Sequence, residues 1–311
     1  MLSDETAFSE AVERHRRELQ VHCYRMLGSF EESEDLTQET FLRAWRRRET
    51  YEARASLRAW LYRIATNACL DALEKRPRAP SPDGEIQWLQ PYPDELLEAV
   101  PAPDEEPDAE IAARETIELA FMVAIQHLAP RPRAVLILRD VLGWRAKEVA
   151  DVLGLSVAAV NSALQRARGG LKEHLPQRRL EWTAAGSPAE KALVSRYIEA
   201  TEANDAHRLA ALMHEDARFW MPPETGIYVG RDTILAAWVQ GGLGSDELGD
   251  FRLLETRANR QPALANYLRK PGEREYRALA IDVVRLEGGA VAEIIGFGAS
   301  VFPAFGLPAT L

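Results

Sequence analysis

Ala158, Asn161, Ser162, Gln165 and Arg168 recur at helical spacing, with Arg166 beside them. As a helix, this stretch gathers those side chains on one face. Short and amide groups followed by two guanidinium groups have the chemistry to hydrogen-bond base edges and phosphates from within a major groove. A second group is acidic. Asp282 and Glu293 sit in apolar, strand-like runs, where burial would raise a carboxyl pKa toward general acid–base use. His207 and His214 fall in what read as early helices, so spacing sets no Asp–His pair. A third group lies in "EDLTQETFLRAW", residues 34–45. There Asp35, Gln38, Glu39, Leu42 and Arg46 share a face with two acids, an amide and one leucine. Such a face is either solvated or docked.

Each group needs an element to hold it. In "RAKEVADVLGLSVAAVNSALQRARGGL" a first helix ends near Leu153, Gly154 permits a tight turn, and Ser156 is placed to cap a second helix. Val157, Val160, Leu164, Ala167 and Leu171 are the expected buried stripe of that second helix. This is a helix-turn-helix pattern, although a helical hairpin with a solvated polar face would share much of it. The acidic helix is expected to bury Phe41, Ala44 and Trp45. In the next helix Leu57, Leu61, Ile64 and Ala68 form a stripe that leaves Arg58, Tyr62, Arg63, Thr66 and Asn67 more exposed.

A length of 311 residues favours two or three domains, and the 46% hydrophobic content is ordinary for a globular chain. No apolar run reaches membrane-spanning length, and the start is acidic and amphipathic rather than a basic-then-apolar leader. A cytoplasmic protein without a membrane partner is expected. Cys23 and Cys69 are the only cysteines, so neither a disulfide framework nor a cysteine metal site is expected, and no cofactor is implied.

The net charge of -10 is unevenly spread. Residues 1–78 carry 14 basic and 14 acidic side chains, 79–113 none and 10, 114–180 11 and 6, and 181–311 13 and 18. The Pro-rich segment 79–113 therefore reads as an extended, self-repelling linker in which "DELLEAV" has room for one or two helical turns. The positive balance of 114–180 favours DNA as its partner. The domains follow as 1–78, the linker 79–113, 114–180, and a different domain at 187–311.

Two of these segments together resemble extracytoplasmic-function sigma factors. "HCYRMLGSFEESEDLTQETFLRAWRRRETYEARASLRAWLYRIATNACLDALEK" looks like their region two, and "LAPRPRAVLILRDVLGWRAKEVADVLGLSVAAVNSALQRARGGLKEHL" like their region four. The resemblance implies two all-α modules that bind core RNA polymerase and promoter DNA. On it, Asp35, Leu36, Gln38, Glu39 and Leu42 dock on the clamp helices of the largest polymerase subunit, and region four meets the flap of the second. Arg58, Tyr62, Arg63 and Asn67 would capture an unpaired base at the -10 element, with Asn67 the foremost candidate. Tyr62 as a core residue with a wet hydroxyl, and Arg63 as a phosphate clamp, stay open. Ser156, Ala158, Asn161, Ser162, Gln165, Arg166 and Arg168 would read the -35 element. The linker would pass through the catalytic cleft, where an acidic chain imitates nucleic acid; a solvated spacer is the plainer alternative.

From about residue 187 to 303, two helices, a strand, a helix opened by "GRD" and four strand-like runs suggest an α+β plan resembling the SnoaL-like, NTF2-like cone fold. The whole reads as an alternative sigma factor modulated in cis by this domain, rather than as an enzyme. The resemblance implies a pocket lined by Trp220, Glu224, Tyr228, Trp238 and Asp282 that takes a small molecule or faces a protein partner. A small-molecule-processing enzyme fused to a regulator, and a helix-turn-helix repressor, are the competing classes.

Overall fold

In the computed structural model, residues 5–51, 56–76, 86–98, 117–175 and 186–311 are described. They divide into two units, one drawn from 1–84 and 95–175, the other from 85–94 and 176–311. The first unit is helical. It begins with α1 (Glu5–Glu13), α2 (Arg16–Leu27), α3 (Phe30–Arg46) and α4 (Leu57–Lys75). Ser29 and Ser56 cap α3 and α4 by accepting from the backbone amides of Glu32 and Ala59.

The buried line of α3 runs Phe30, Ser33, Thr37, Thr40, Ala44, while Phe41 and Trp45 are only half-buried. Sequence favours the large rings, but packing chooses the small hydroxyls. Ser33, Thr37 and Thr40 return their hydroxyls to carbonyls one turn back at 2.6, 2.7 and 2.6 Å, which satisfies them while keeping that face narrow enough for close helix contact. Phe41 and Trp45 instead lie under the guanidinium groups of Arg16 and Arg48, at 4.6 and 4.5 Å. Cys23 on α2 and Cys69 on α4 are buried free thiols, filling space as small hydrophobes do.

After α5 (Asp94–Glu98) come α6 (Leu119–Gln126), α7 (Pro130–Leu136) with a π-turn at Ile137–Val141, α8 (Ala146–Leu153) and α9 (Val157–His174). Gly154 closes α8 in the left-handed region at φ 65, and Ser156 caps α9 by accepting from Ala159 N at 3.1 Å. Val160, Ala163, Leu164 and Ala167 are buried, but Val157 is 43% exposed and Leu171 half-buried. The stripe fails at its ends because Val157 opens the helix and its side chain leans back past the first turn.

Helices on both sides of the linker share this unit, and a buried polar staple joins them. Arg133 on α7 donates to Met26 O at the end of α2, and also to Gln126 Oε1, Gln126 O and Leu128 O. Gln126 Nε2 donates to Arg25 O at 3.2 Å. The last carbonyls of α2, which lack partners within their own helix, are thus satisfied from α6 and α7.

The second unit contains α10 (Pro188–Glu202), α11 (Ala206–Ala210), β1 (Met213–Trp220), β2 (Tyr228–Val229), α12 (Arg231–Gln240), β3 (Asp250–Ala258), β4 (Gln261–Arg269), β5 (Arg277–Glu287) and β6 (Ala290–Gly298). The strand order is β2-β1-β6-β5-β4-β3; β1 runs parallel to β6 and the other neighbours are antiparallel. Leu193, Val194 and Tyr197 of α10 and Ile234 of α12 pack on one face of this sheet with Phe219, Leu253, Leu264, Val284 and Ile294. His214 lies on β1 rather than in a helix.

The linker is not uniformly extended. Ile86, Trp88, Leu89 and Tyr92 are buried, and Tyr92–Asp94 grip the turn between β3 and β4. Tyr92 N donates to Asn259 Oδ1 at 2.7 Å and Tyr92 O accepts from Asn259 N at 2.9 Å. Pro93 bridges Ala258, and Asp94 accepts from Arg260 N at 2.7 Å while pairing with Arg257. Burial raises the Asp94 carboxyl against the pull of these donors. Asn259 and Arg260 form the turn with φ of 55 and 62, the left-handed pair that a two-residue hairpin requires. Counting acids hid four large apolar side chains in the same stretch. Residues 79–85 and 99–113 of the expected linker lie outside the described residues.

His22 on α2 is wholly buried, with Nε2 2.9 Å from Thr66 Oγ1 and Nδ1 without a partner. Burial, helped by Arg25, lowers its pKa to about 3. The unfolded chain therefore binds this proton first as pH falls. The stability contributed is complete above the ordinary histidine value near 6.5 and drains away toward pH 3. Between pH 6.5 and 5 the loss from this one group should be about 2 kcal/mol. Its ring resonances should stay in the neutral form down to pH 4 in folded protein; a His22 titration near pH 6 would contradict the burial.

Candidate nucleic-acid interface

The α3 face keeps an open edge. Asp35 and Gln38 are exposed, make no side-chain hydrogen bond or ion pair among the described residues, and lie beside Leu42, which is 52% exposed. Leu36 and Glu39 are half-buried, and Glu39 accepts from Arg43 at 2.8 Å, with Arg43 also reaching Asp71 at 3.3 Å. A large exposed leucine flanked by unpaired polar groups is a surface suited to docking.

On α4 the four expected residues separate. Arg63 and Asn67 are exposed without side-chain partners among the described residues, whereas Tyr62 is 1% exposed and Thr66 fully buried, against the expectation that both face outward. Tyr62 is held from several sides. Its hydroxyl donates to Glu18 Oε2 at 3.1 Å, and its ring lies 5.0 Å from His22 and 5.1 Å from Trp144, two residues before α8. Arg58 donates to the same Glu18 oxygen at 2.7 Å and stands over the Tyr62 ring at 5.1 Å and the Trp144 ring at 5.9 Å. Burial pulls the Glu18 carboxyl upward, but His15 and Arg58 outweigh it and keep it low, so it stays ionised beneath these donors. Burial and the Glu18 charge push the Tyr62 phenol up, so it remains a donor. Sequence reasoning missed Glu18 and Trp144, because their link to α4 lies across helices.

The face of α9 is open along its length. Ser156, Ala158, Asn161, Ser162, Gln165, Arg166 and Arg168 are all exposed. Arg166 donates to Ser162 at 2.8 Å, one turn earlier. Arg168 makes a two-pronged pair with Asp140 at 2.7 and 2.8 Å, which fixes its guanidinium while leaving the side chain 59% exposed. Asn161 and Gln165 make no such contact among the described residues and keep their amide groups free for base edges.

The expected pocket residues of the second unit do not converge. Trp220 pairs with Ile295, whereas Asp282 pairs with Gly296, so the two side chains leave opposite faces of the sheet. Glu224 is exposed in the turn after β1. Tyr228 is 41% exposed and stacks on Phe219 at 5.9 Å, with the half-buried Trp238 edge-on to that ring at 5.5 Å. Glu293 is bound by Arg285 at 3.3 Å, and His214 pairs with Asp216 at the surface. Among the described residues no group of three or more His, Cys, Asp or Glu side chains is assembled to hold a metal, and no helix is long and apolar enough to cross a membrane.

Family models match in the same order as these elements: sigma-70 region 2 over residues 11–79, sigma-70 region 4 over 118–169, and a SnoaL-like domain over 194–294. SigG, an ECF RNA polymerase sigma factor of Mycobacterium tuberculosis, is 42% identical over 321 aligned residues, covering 98% of this chain and 85% of SigG. The chain is an extracytoplasmic-function sigma factor. SigW of Bacillus subtilis, another ECF sigma factor, matches at 28% identity over 55% of this chain and 90% of its own length. The crystal structure of the M. tuberculosis extracytoplasmic function sigma factor SigJ shares the fold, with a TM-score of 0.63 at 23% identity across 98% of this chain and 100% of that one. This sigma factor therefore binds core RNA polymerase and directs transcription initiation at promoter DNA.

Trp144 occupies the ring surface of Tyr62, so removing it should free that surface. Trp144→Ala is expected to raise several-fold the affinity of the full-length protein for a single-stranded -10 non-template oligonucleotide, read by fluorescence anisotropy. Unchanged affinity would mean that this ring contact does not limit access.

Proposed function

We propose that this sigma factor is restrained in cis by its SnoaL-like domain, and that docking, melting and reading fall to separate faces of its helices. The observation that carries the first part is the grip of Tyr92, Pro93 and Asp94 on the β3–β4 turn. The segment joining regions 2 and 4 must follow one path when it passes through a polymerase cleft. A segment hydrogen-bonded to another domain has a competing path, and the balance between them is an equilibrium that a signal can bias. The covalent connection on both sides keeps the effective concentration of the grip high, so a few hydrogen bonds suffice.

For the second part, Asp35, Leu36, Gln38, Glu39 and Leu42 are assigned to core polymerase, Arg58, Tyr62, Arg63 and Asn67 to the -10 element, and the exposed face of α9 to the -35 element. Support comes from exposure without internal partners at Asp35, Gln38, Asn67, Asn161 and Gln165. Tyr62 takes part only once Trp144 has moved away. This function is exercised in the cytoplasm and needs no catalytic step from the C-terminal domain. Glu293 and His214 are already paired, and among the described residues no histidine or second acid contacts Asp282. An operator-binding repressor would leave the docking face of α3 without a task.

Asp35→Ala with Gln38→Ala should weaken core polymerase binding without unfolding α3, since both side chains lie off its buried line. Gln165→Ala should spare core binding and cost about 1–3 kcal/mol at the -35 element. Equal loss of core affinity in both variants would end this division of roles. Asn259→Gly keeps the left-handed turn but deletes the acceptor for Tyr92 N. It should raise promoter-directed transcription several-fold at limiting core enzyme, as should Asp94→Ala. Activity identical to the parent in both variants, and in a chain ending at Leu180, would dismiss restraint in cis.

A further inference from the structure

One arginine on the open face of α9 is held by a residue outside that helix. Arg168 donates from Nε to Asp140 Oδ2 at 2.7 Å and from Nη2 to Asp140 Oδ1 at 2.8 Å, so one whole edge of the guanidinium is engaged. The other edge, with both N–H groups of Nη1 and the second of Nη2, has no partner among the described residues. The Arg168 side chain stays 59% exposed and that of Asp140 30%. An ion pair this open adds little to the stability of the fold. What it fixes is direction, because a long and otherwise freely rotating side chain is reduced to a fork pointing one way.

The carboxylate is itself held in place. Asp140 belongs to the π-turn Ile137–Val141, where Leu142 N reaches five residues back to Ile137 O at 3.0 Å, a widened turn of the kind that recurs at functional sites. Arg139 of the same turn donates to Trp144 O, and Trp144 N donates to Leu138 O at 3.0 Å, so the turn is tied at both ends. On α9, Asn161, Gln165 and Arg168 stand at i, i+4 and i+7 along one exposed stripe. They span about 10 Å of helix, roughly the rise of three base pairs. Arg168 therefore continues the line of the two free amides.

We propose that Asp140 is a positioning residue for promoter recognition, and that the free edge of Arg168 which it presents reads a guanine in the major groove of the -35 element. This rests on the assignment of the α9 face to that element. Guanine offers O6 and N7 as two neighbouring acceptors, which match two parallel N–H groups, whereas adenine sets a donor beside its acceptor. A phosphate also accepts a fork. It would, however, bring a second full negative charge up to Asp140 across a single guanidinium, and the guanine edge carries no net charge.

The test offers full-length protein, free and assembled with core RNA polymerase, a pool of short duplexes with a randomised central block, and sequences what is bound. The parent should enrich guanine at one pair by about tenfold over the other bases. Arg168→Ala and Asp140→Ala should each lose that preference at the same pair, and the double variant should lose no more than Arg168→Ala alone. A merely structural role for Asp140 would instead add a further loss in the Arg168→Ala background, and would overturn the proposal. Replacing that guanine by 7-deazaguanine, which lacks the N7 acceptor, should weaken the parent several-fold and Arg168→Ala not at all. If Asp140→Ala disturbs the π-turn, Asp140→Asn, of the same shape with one acceptor fewer, should still cut the preference several-fold. A guanine preference that survives in both Asp140 variants would make the carboxylate a bystander and overturn its role. Uniform weakening of all sequences by Arg168→Ala, with a shallower salt dependence, would move the arginine to a phosphate and overturn the guanine assignment. Gln165→Ala separates the two readings: it should change the pattern at a neighbouring pair. A pattern altered by Gln165→Ala but by neither Arg168→Ala nor Asp140→Ala removes only the role of the pair, whereas no pattern in the parent in either form removes the assignment of α9 as well.

Discussion

The end of α2 leaves backbone carbonyls that cannot be paired within the helix, and the protein takes their donors from a helix more than a hundred residues further on. Arg133 supplies Met26, Gln126 supplies Arg25, and Arg133 in turn ties Gln126 and Leu128. A guanidinium so deeply buried is tolerable only when most of its donors are met, as both terminal nitrogens are here while Nε has no partner, and the carbonyls are tolerable only when it is there. Each side thus makes the other necessary. The contact of Trp144 with Tyr62 and Arg58 follows from that docking, since α6 and α7 bring the start of α8 against α4.

Much of this was legible in the residue order. The cap at Ser156, the left-handed Gly154, the exposed polar face of α9 and the strands after residue 250 follow from local rules, and local rules are what a sequence displays. Other features depend on partners far along the chain. Tyr62 has the spacing of an exposed residue and is buried because Glu18, His22 and Trp144 surround it. Trp220 alternates correctly as a strand residue, but only the pairing of β1 with β6 decides which face it takes. Val157 matches the stripe in period and fails in position, being the first residue of its helix.

The segment around Tyr92 shows a different limit. Its charge pattern suggests a chain that avoids contact, and the average is accurate as an average. Binding is decided by a few groups: a backbone amide meeting the Asn259 side chain, an aspartate meeting the Arg260 amide, and apolar rings withdrawn from water. The two-residue turn that receives them has no glycine, so both Asn259 and Arg260 hold an uncommon backbone conformation. Asparagine accepts it more readily than most residues and uses its side chain to bind the incoming strand.

The helix that would read duplex lies open, while the ring surface that would receive an unpaired base is already covered by an indole. On the roles proposed above, a copy so arranged gains nothing from an opened duplex. On those roles, the gain from an opened strand comes only with the parting of Trp144 from Tyr62, so that strand opening and the release of one indole become a single event.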